Sequence, residues 1–215
     1  GTGVKNNVDF MLDTLKFDKK ERPRLVHRLD KDTSGVLLIG RSLSAATKLT
    51  EAFRKKNAQK IYWAIVVGSP KLASGVIDQS LSKIPAKKGD RVVPDPINGK
   101  QAITHYRVIE RASYKASWLS LEPLTGRTHQ LRVHMAALGT PILGDGKYGG
   151  PSSFLRGSGL SQKMHLHARA IRVPHPRGGE LEFFAPLPSH MLATMNFFGF
   201  DMSNNTDTFR DSCIK

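Results

Sequence analysis

The sequence predicts an α+β domain in which a mixed, largely antiparallel central sheet is flanked by helices. Two observations carry this. Segments 60–67, 103–109, 117–121, 165–173 and 180–184 alternate or run apolar at strand length, and several are joined by turns short enough for hairpins. Helical spacing of apolar residues occurs in separate stretches between those strands, so helices are interspersed rather than gathered into a bundle. No internal repeat breaks the pattern, and 215 residues with 39% hydrophobic content can bury a sizeable core.

In chain order, Val4, Val8, Met11, Leu12 and Leu15 recur at helical spacing, and a charged segment containing Pro23 ends that helix. Leu25 and Val26 suggest a short strand. The polar run His27 to Gly35 follows, leading into Val36 to Ile39, which reads as a strand apolar on both faces and therefore central. Ser42 or Ser44 can cap a helix whose buried face is Leu43, Ala46, Leu49 and Phe53, with Lys48, Arg54, Lys55 and Lys56 outward. Strand 60–67 is closed by Gly68, Ser69 and Pro70; its alternation puts Lys60 and Tyr62 on the less apolar face. Residues 82–99, rich in Lys, Pro, Gly and Asp, read as a long basic loop or hairpin. A helix from about Thr128 to Leu138, with Leu131, Met135 and Leu138 toward the core, is stopped by Gly139. A Gly/Ser-rich loop runs to Ser161, the strands 165–173 and 180–184 form a hairpin, and the last helix spans about 189–198. The tail from Met202 is expected to fray.

The charge balance is unusual. Lys and Arg number 33 against 18 Asp and Glu, giving +15. Such a surplus attracts polyanions, nucleic acid first among them, and it is spread from Lys16 to Arg177 rather than gathered in a tail. No Lys-rich helix with a large apolar face offers a membrane alternative. One cysteine, Cys213, permits no internal disulfide and no cysteine zinc cluster, which fits a reducing, cytoplasmic setting. The longest apolar run, 61–67, cannot span a bilayer. The Gly1-Thr2-Gly3 start, without methionine, suggests a piece of a longer protein, and a monomer is expected.

Several chemistries find little footing. His129 and His134 are five apart and splay around a helix, while His165 and His167 share a strand face without a third ligand, so no metal site is expected. Gly144-Asp145-Gly146 lacks the Gly-Lys-Ser/Thr of a phosphate loop. No serine sits in a nucleophile elbow. What remains is a carboxylate, Asp30, beside Arg28 and His27 on a loop backed by an apolar run, together with a second polar cluster from Gly126 to Arg132. On the residues alone, Asp30, Asp32 and Ser34 could equally be turn formers, Tyr62 a plain strand tyrosine, and Arg132 a solvated helix residue.

Taken together, these blocks resemble a known family. His27-Arg28-Leu29-Asp30-Lys31-Asp32-Thr33-Ser34-Gly35 is similar to the signature loop of the ribosomal large subunit pseudouridine synthase A family. Lys60-Ile61-Tyr62-Trp63-Ala64 resembles its Lys-x-Tyr-x-Ala strand, and Thr125 to His134 its Thr-Gly-Arg-x-His-Gln-Leu-Arg-Val-His block. Gly139 to Asp145 with Tyr148-Gly149, then His165 to Ala168 and Phe184-Ala185-Pro186, continue the likeness in order over about residues 25 to 187, and the wording is most similar to the C type.

The resemblance implies a pseudouridine synthase fold and the isomerisation of uridine to pseudouridine in structured RNA, with 23S rRNA as the expected partner and neither cofactor nor metal. It implies Asp30 as the attacking carboxylate, Tyr62 packed on the base and assisting removal of the C5 proton, Arg132 paired with the aspartate, and Arg28 as a wedge in the space left by a flipped base. His27, Lys31, Arg127, His129 and Gln130 are then expected to meet RNA, with Thr33, Ser34 and Gly35 supporting the loop. Physically, a carboxylate nucleophile must be charged, which a neighbouring arginine favours, and a flipped uridine regains stacking on an aromatic ring. The family's Lys-Pro-x-Gly motif ahead of the first helix and the S4 domain carried by many members do not occur in the sequence, so residues 1–215 are expected to be a catalytic domain truncated at its N-terminus. A non-catalytic RNA-binding or ribosome-assembly protein on the same fold is the competing reading, and a metal-dependent nuclease a third.

Overall fold

The computed structural model describes residues 8–86, 90–155, 159–204 and 209. Val4, Cys213 and residues 87–89 of the expected basic stretch 82–99 lie outside the described residues.

The chain opens with α1 (Val8–Met11), continued by a 3-10 turn, Leu12–Leu15. Among the described residues of its expected apolar face only Leu12 is buried, whereas Met11 is 63% exposed. Two short strands, β1 (Arg24–Leu25) and β2 (Ser34–Gly35), flank the polar loop, and β3 (Ile39–Gly40) returns to pair with β1. The central strand expected at 36–39 is thus not formed. An apolar run reports burial and not pairing. Val36 and Leu38 do pack inward, against a cluster containing Ala46, Leu49 and Ile171. The backbone, however, is held piecewise: Val36 N–H donates to the Ala168 carbonyl at 2.9 Å, and Leu38 N–H donates to His27 Nε2 at 2.8 Å.

Helix α2 (Leu43–Arg54) starts where Ser42 Oγ accepts the Ala45 N–H at 3.2 Å, which makes Ser42, of the two serines expected, the N-cap. Its buried residues are Ala46, Leu49 and Ala52; Leu43, expected inside, lies at the open first turn and is 56% exposed. Then come β4 (Gln59–Val67), β5 (Ser74–Asp78), the hairpin β6 (Leu81–Ile84) with β7 (Arg91–Pro94), β8 (Ile103–Ala112) and β9 (Ala116–Pro123). Helix α3 (Gln130–Ala137), β10 (Leu166–Pro174), β11 (Glu180–Phe184) and α4 (Ser189–Phe198) complete the domain.

The main sheet runs β11-β10-β4-β9-β8-β5, antiparallel throughout, with β2 added in parallel on β10 beyond the end of β11. It is mixed, largely antiparallel and flanked by helices, as expected. Both faces are covered, so β4 is buried on each side. Ile61, Trp63 and Ile65 pack with Met191 and Met195 of α4, while Ala64 and Val66 pack with Leu131 and Met135 of α3. Tyr62 belongs to the second face. Met202–Asn204 make a 3-10 turn, and Phe209 is 7% exposed inside the α4-side core, so this part of the expected fraying tail is anchored by an aromatic ring.

The end of α3 follows from one glycine. Gly139, φ +79°, donates to the Ala136 carbonyl at 3.1 Å, and Thr140 N–H reaches the Met135 carbonyl at 3.1 Å, which is a Schellman stop. Leu138, expected in the core face, precedes that stop and is 37% exposed. At its other end α3 begins after His129, held at φ 52°, a left-handed conformation that is costly for a residue with a Cβ.

Candidate active site

The signature loop is a tight turn fixed at both ends. Thr33 N–H donates to the Asp30 carbonyl at 3.0 Å, and Asp32 at the third position takes φ 70°, as a type II turn requires. Asp32 and Lys31 are exposed turn residues. Beyond the turn, Ser34 and Gly35 pair with His167 and Ala168 of β10. Ser34 Oγ lies 2.8 Å from His167 Nδ1, and His167 Nε2 lies 3.3 Å from the Ala185 carbonyl. The Nε2 proton therefore goes to the carbonyl and the serine hydroxyl donates to Nδ1. Gly35 has φ +116°, and a Cβ there would come within 2.2 Å of the Ala168 oxygen. Only glycine lets the loop lie this close to β10.

His27 supports the same loop from behind. Its Nε2 accepts the Leu38 N–H, its ring stacks on Phe53 with centroids 4.5 Å apart, and burial lowers its pKa to about 4, with Lys60 adding to the shift. It stands neutral at neutral pH. Its Nε2 is thus committed to the backbone, while the ring also lines the cavity in front of the loop.

In front of the loop lies a cavity of about 300 Å³, lined by Asp30, Arg28, Thr33, Lys60, Tyr62, Arg127 and Leu131 among others. Strand β4 sends Lys60 and Tyr62 into it from one face, since residues two apart share a side. Burial, reinforced by the Asp30 carboxylate, raises the Tyr62 phenol above its ordinary value, so it is a neutral aromatic surface with a hydroxyl and a poor source of phenolate. Burial lowers the Lys60 ammonium to about 8, with the Glu122 carboxylate opposing that shift. Lys60 was missed as a site residue, although its two-residue offset from Tyr62 was legible. Arg28 and Arg127 are exposed at the mouth. Arg127 Nε donates to the Gln101 carbonyl at 3.0 Å, leaving the rest of its guanidinium outward.

The second polar cluster approaches Asp30 from α3. His129 N–H donates to Asp30 Oδ2 at 3.2 Å. Arg132, expected to pair with Asp30, instead makes a fork onto Asp145, with Nε to Oδ2 at 2.8 Å and Nη2 to Oδ1 at 2.7 Å. Burial opposes charge on Arg132, but Asp145, with Tyr148 and Asp30 behind it, outweighs that and raises its pKa. Arg132 thus acts on Asp30 as a fixed positive charge rather than as a hydrogen-bond partner. The reason is tertiary: the loop after α3 returns Asp145 to the guanidinium with better geometry. Asp145 was set aside in the sequence because no phosphate loop surrounds it.

Gln130 also departs from expectation. Its Oε1 accepts from Thr125 Oγ1 at 2.7 Å and from Arg127 N–H at 3.0 Å, and its Nε2 donates to the Ile103 carbonyl at 2.9 Å and to Thr104 Oγ1 at 3.0 Å. All four bonding capacities of the amide are used inside the fold, and the side chain is 3% exposed, so it frames residues 125–130 and has nothing left to offer RNA. Among the described residues, no group of three or more His, Cys, Asp or Glu could hold a metal ion. No described helix is long and apolar enough to cross a membrane.

The sequence matches the family described as RNA pseudouridylate synthase over residues 3–137. The chain belongs to this family. Among its relatives is an RNA pseudouridine synthase 4, mitochondrial, of Arabidopsis thaliana, 37% identical over 91% of this chain and 54% of that protein. An uncharacterised RNA pseudouridine synthase of Zymomonas mobilis is 41% identical over 85% of this chain and 81% of its own. The ribosomal large subunit pseudouridine synthase D of Escherichia coli is 35% identical, covering 86% and 59%. Against the first relatives, with 54%, 56% and 51% covered, the chain spans about half their length. The solved structure of human RNA Pseudouridylate Synthase Domain Containing 4 superposes with a TM-score of 0.74 at 30% identity, covering 90% of this chain and 82% of that one. The C type expected from the wording of the blocks is not singled out by these relatives, which include D-type synthases. The pseudouridine synthase fold expected from the signature blocks is the one observed.

Proposed function

We propose that this chain carries the catalytic domain of an RNA pseudouridine synthase that isomerises uridine in structured RNA, ribosomal RNA by preference. The observation that carries the reading is the convergence of Asp30, Tyr62 and an arginine-lined mouth on one cavity of about 300 Å³, large enough for a single flipped nucleotide.

In this reading Asp30 attacks C1′ of the target ribose, and the C1′–N1 bond breaks with its electron pair leaving on uracil. The detached base turns over against the Tyr62 ring, C5 bonds to C1′ as the Asp30 oxygen is displaced, the freed Asp30 carboxylate takes the C5 proton, and N1 receives one in exchange through solvent, which restores the aromatic uracil. No net atom is gained or lost. The His129 N–H and the Arg132 charge stabilise negative charge on the carboxylate before attack and after its release. Tyr62 stacks on the base and keeps its proton, so it serves as a platform and hydrogen-bond donor rather than as a phenolate base. Arg28, exposed at the mouth, is assigned to the space that a flipped base vacates, and the exposed Arg127 and Lys31 to contacts with phosphates.

The C-type assignment, with 23S rRNA as substrate, belongs to this proposal, as do a monomeric state and a cytoplasmic location. The last rests on the single cysteine and the RNA substrate. The mitochondrial designation of two plant relatives offers a second reducing, RNA-bearing compartment as the alternative.

The experiment incubates the full-length protein with unmodified rRNA and maps pseudouridine by chemical labelling, beside Asp30→Asn. New pseudouridine in the wild type and a loss of at least about 10³-fold in the variant are expected, because an amide cannot act as the nucleophile. Retained activity in Asp30→Asn removes Asp30 from the mechanism. RNA binding without any pseudouridine in the wild type turns the reading to a non-catalytic RNA-binding protein.

A further inference from the structure

We infer that Tyr148 and His129 are positioning residues for the Asp30 carboxylate and tie it to the β6–β7 hairpin through Val92. This rests on Asp30 being the nucleophile.

His129 is the only described residue whose N–H is seen to donate to the Asp30 carboxylate, at 3.2 Å, and it does so from a left-handed backbone at φ 52°. A histidine holds that conformation only when its surroundings over-determine it. Two restraints do so here. Its carbonyl accepts the Val133 N–H at 3.0 Å in the first turn of α3, and its ring Nδ1 lies 2.7 Å from the Tyr148 hydroxyl. The Tyr148 oxygen already accepts the Val92 N–H at 3.2 Å, and the phenol's own proton is assigned to Nδ1, which leaves the imidazole hydrogen on Nε2.

Tyr148 is itself fixed. Its N–H bonds Asp145 Oδ1 at 3.2 Å, and the Arg132 and Arg91 guanidinium carbons lie 5.0 and 5.5 Å from its ring centre. The path from hairpin to nucleophile is therefore Val92 N–H, Tyr148 hydroxyl, His129 ring, His129 N–H, Asp30. The charged groups around His129 are Asp30 from the loop, Arg132 from α3, and Asp145 and Lys147 from the turn beyond it. Burial, Arg132 and Lys147 favour the neutral ring, and the two carboxylates oppose them.

The test is Tyr148→Phe in the full-length protein, which keeps the ring and its cation contacts and removes only the hydroxyl. We expect kcat to fall about 10-fold, with RNA affinity within twofold and the melting temperature within about 2 °C of the wild type. The acid limb of the kcat profile should move toward neutrality, since a released Nδ1 can take a proton. His129→Asn keeps the N–H and tolerates the left-handed backbone, and adding Tyr148→Phe to it should cost nothing further. Imidazole nitrogen shifts should show the Nε2–H tautomer in the wild type and its loss in Tyr148→Phe, a readout independent of turnover. An unchanged kcat, a loss explained wholly by RNA affinity, additive effects in the double variant, or an unaltered tautomer overturns the inference. An inactive wild type with the expected tautomer change would instead strike the proposed function and leave the hydrogen-bonded chain standing.

Discussion

Gly35→Ala should detach the signature loop from its sheet while leaving most of the domain folded. Gly35 sits at φ +116°, and the added Cβ would meet the Ala168 oxygen, nitrogen and carbonyl carbon at 2.2, 2.6 and 2.7 Å. All three are backbone atoms of a strand paired with neighbours on both sides, so β10 cannot yield and β2 must. The backbone conformation alone costs about 1–3 kcal/mol for a residue with a Cβ. Moving β2 away relieves that strain and the overlap but sacrifices the Val36 N–H bond to Ala168 and the Ser34 bond to His167, at roughly 0.5–1.5 kcal/mol each and so about 1–3 kcal/mol together. Strain and overlap combined exceed what a two-residue strand returns, so the loop should leave its place before the domain unfolds. In assay terms, kcat for the proposed pseudouridine formation should fall more than about 100-fold, since a displacement of about 1 Å at a reacting group costs that much. The melting temperature should drop by several degrees, at about 2–4 °C per kcal/mol for a chain of this size. Wild-type turnover together with an unshifted melting temperature in Gly35→Ala would refute the claim that this close approach sets the position of Asp30.

Three further outcomes are expected. Arg132→Met leaves Asp145 charged at 1% side-chain exposure and should destabilise by about 3–5 kcal/mol in chemical denaturation, whereas Arg132→Met with Asp145→Leu should recover most stability without recovering kcat; a single-variant loss under about 1 kcal/mol would count against a structural ion pair. His27 and His165 are both lowered from 6.5 to about 4 by burial, with Lys60 and His190 respectively adding to the shift, so the unfolded chain binds more protons than the folded one between those values. Their contribution is complete above pH 6.5 and is lost as pH falls toward 4; from pH 7 to 5.5 the urea midpoint should move by the equivalent of about 2 kcal/mol, and a constant midpoint over that range would contradict their neutral burial. Finally, RNA affinity should fall steeply with salt, and Arg127→Ala should reduce the slope of log affinity against log salt by about one, an unchanged slope showing that Arg127 does not meet a phosphate.

Much of the frame was legible because it rests on local rules. Alternation located β4, β8, β9, β10 and β11, the choice of Ser42 or Ser44 marked the start of α2, and Gly139 the stop of α3. Strand β5 escaped notice because Ser74–Asp78 is a short edge strand with little apolar content. The stretch 36–39 misled for the opposite reason: burial without pairing looks like a buried strand in any one-dimensional pattern. In the site, Asp30, Tyr62 and Arg127 were readable from their blocks, and the cavity brings them together. The partner of Arg132 and the employment of Gln130 were not, since polar side chains bond whatever the fold delivers, and Asp145 lies 13 residues from Arg132 while Thr104 lies 26 from Gln130.

By itself the sequence determined which chemical groups are present, where most elements lie and which loop bears the carboxylate, because periodicity and turn chemistry act over a few residues. The tertiary structure alone decided who bonds whom. Asp30 receives an N–H from His129, the His129 ring meets the Tyr148 hydroxyl, and Arg132 is taken by Asp145, all because the fold brings the segments on either side of α3 to the Asp30 loop. Such contacts join residues distant in the chain, and their strength depends on distances and burial that no linear spacing encodes.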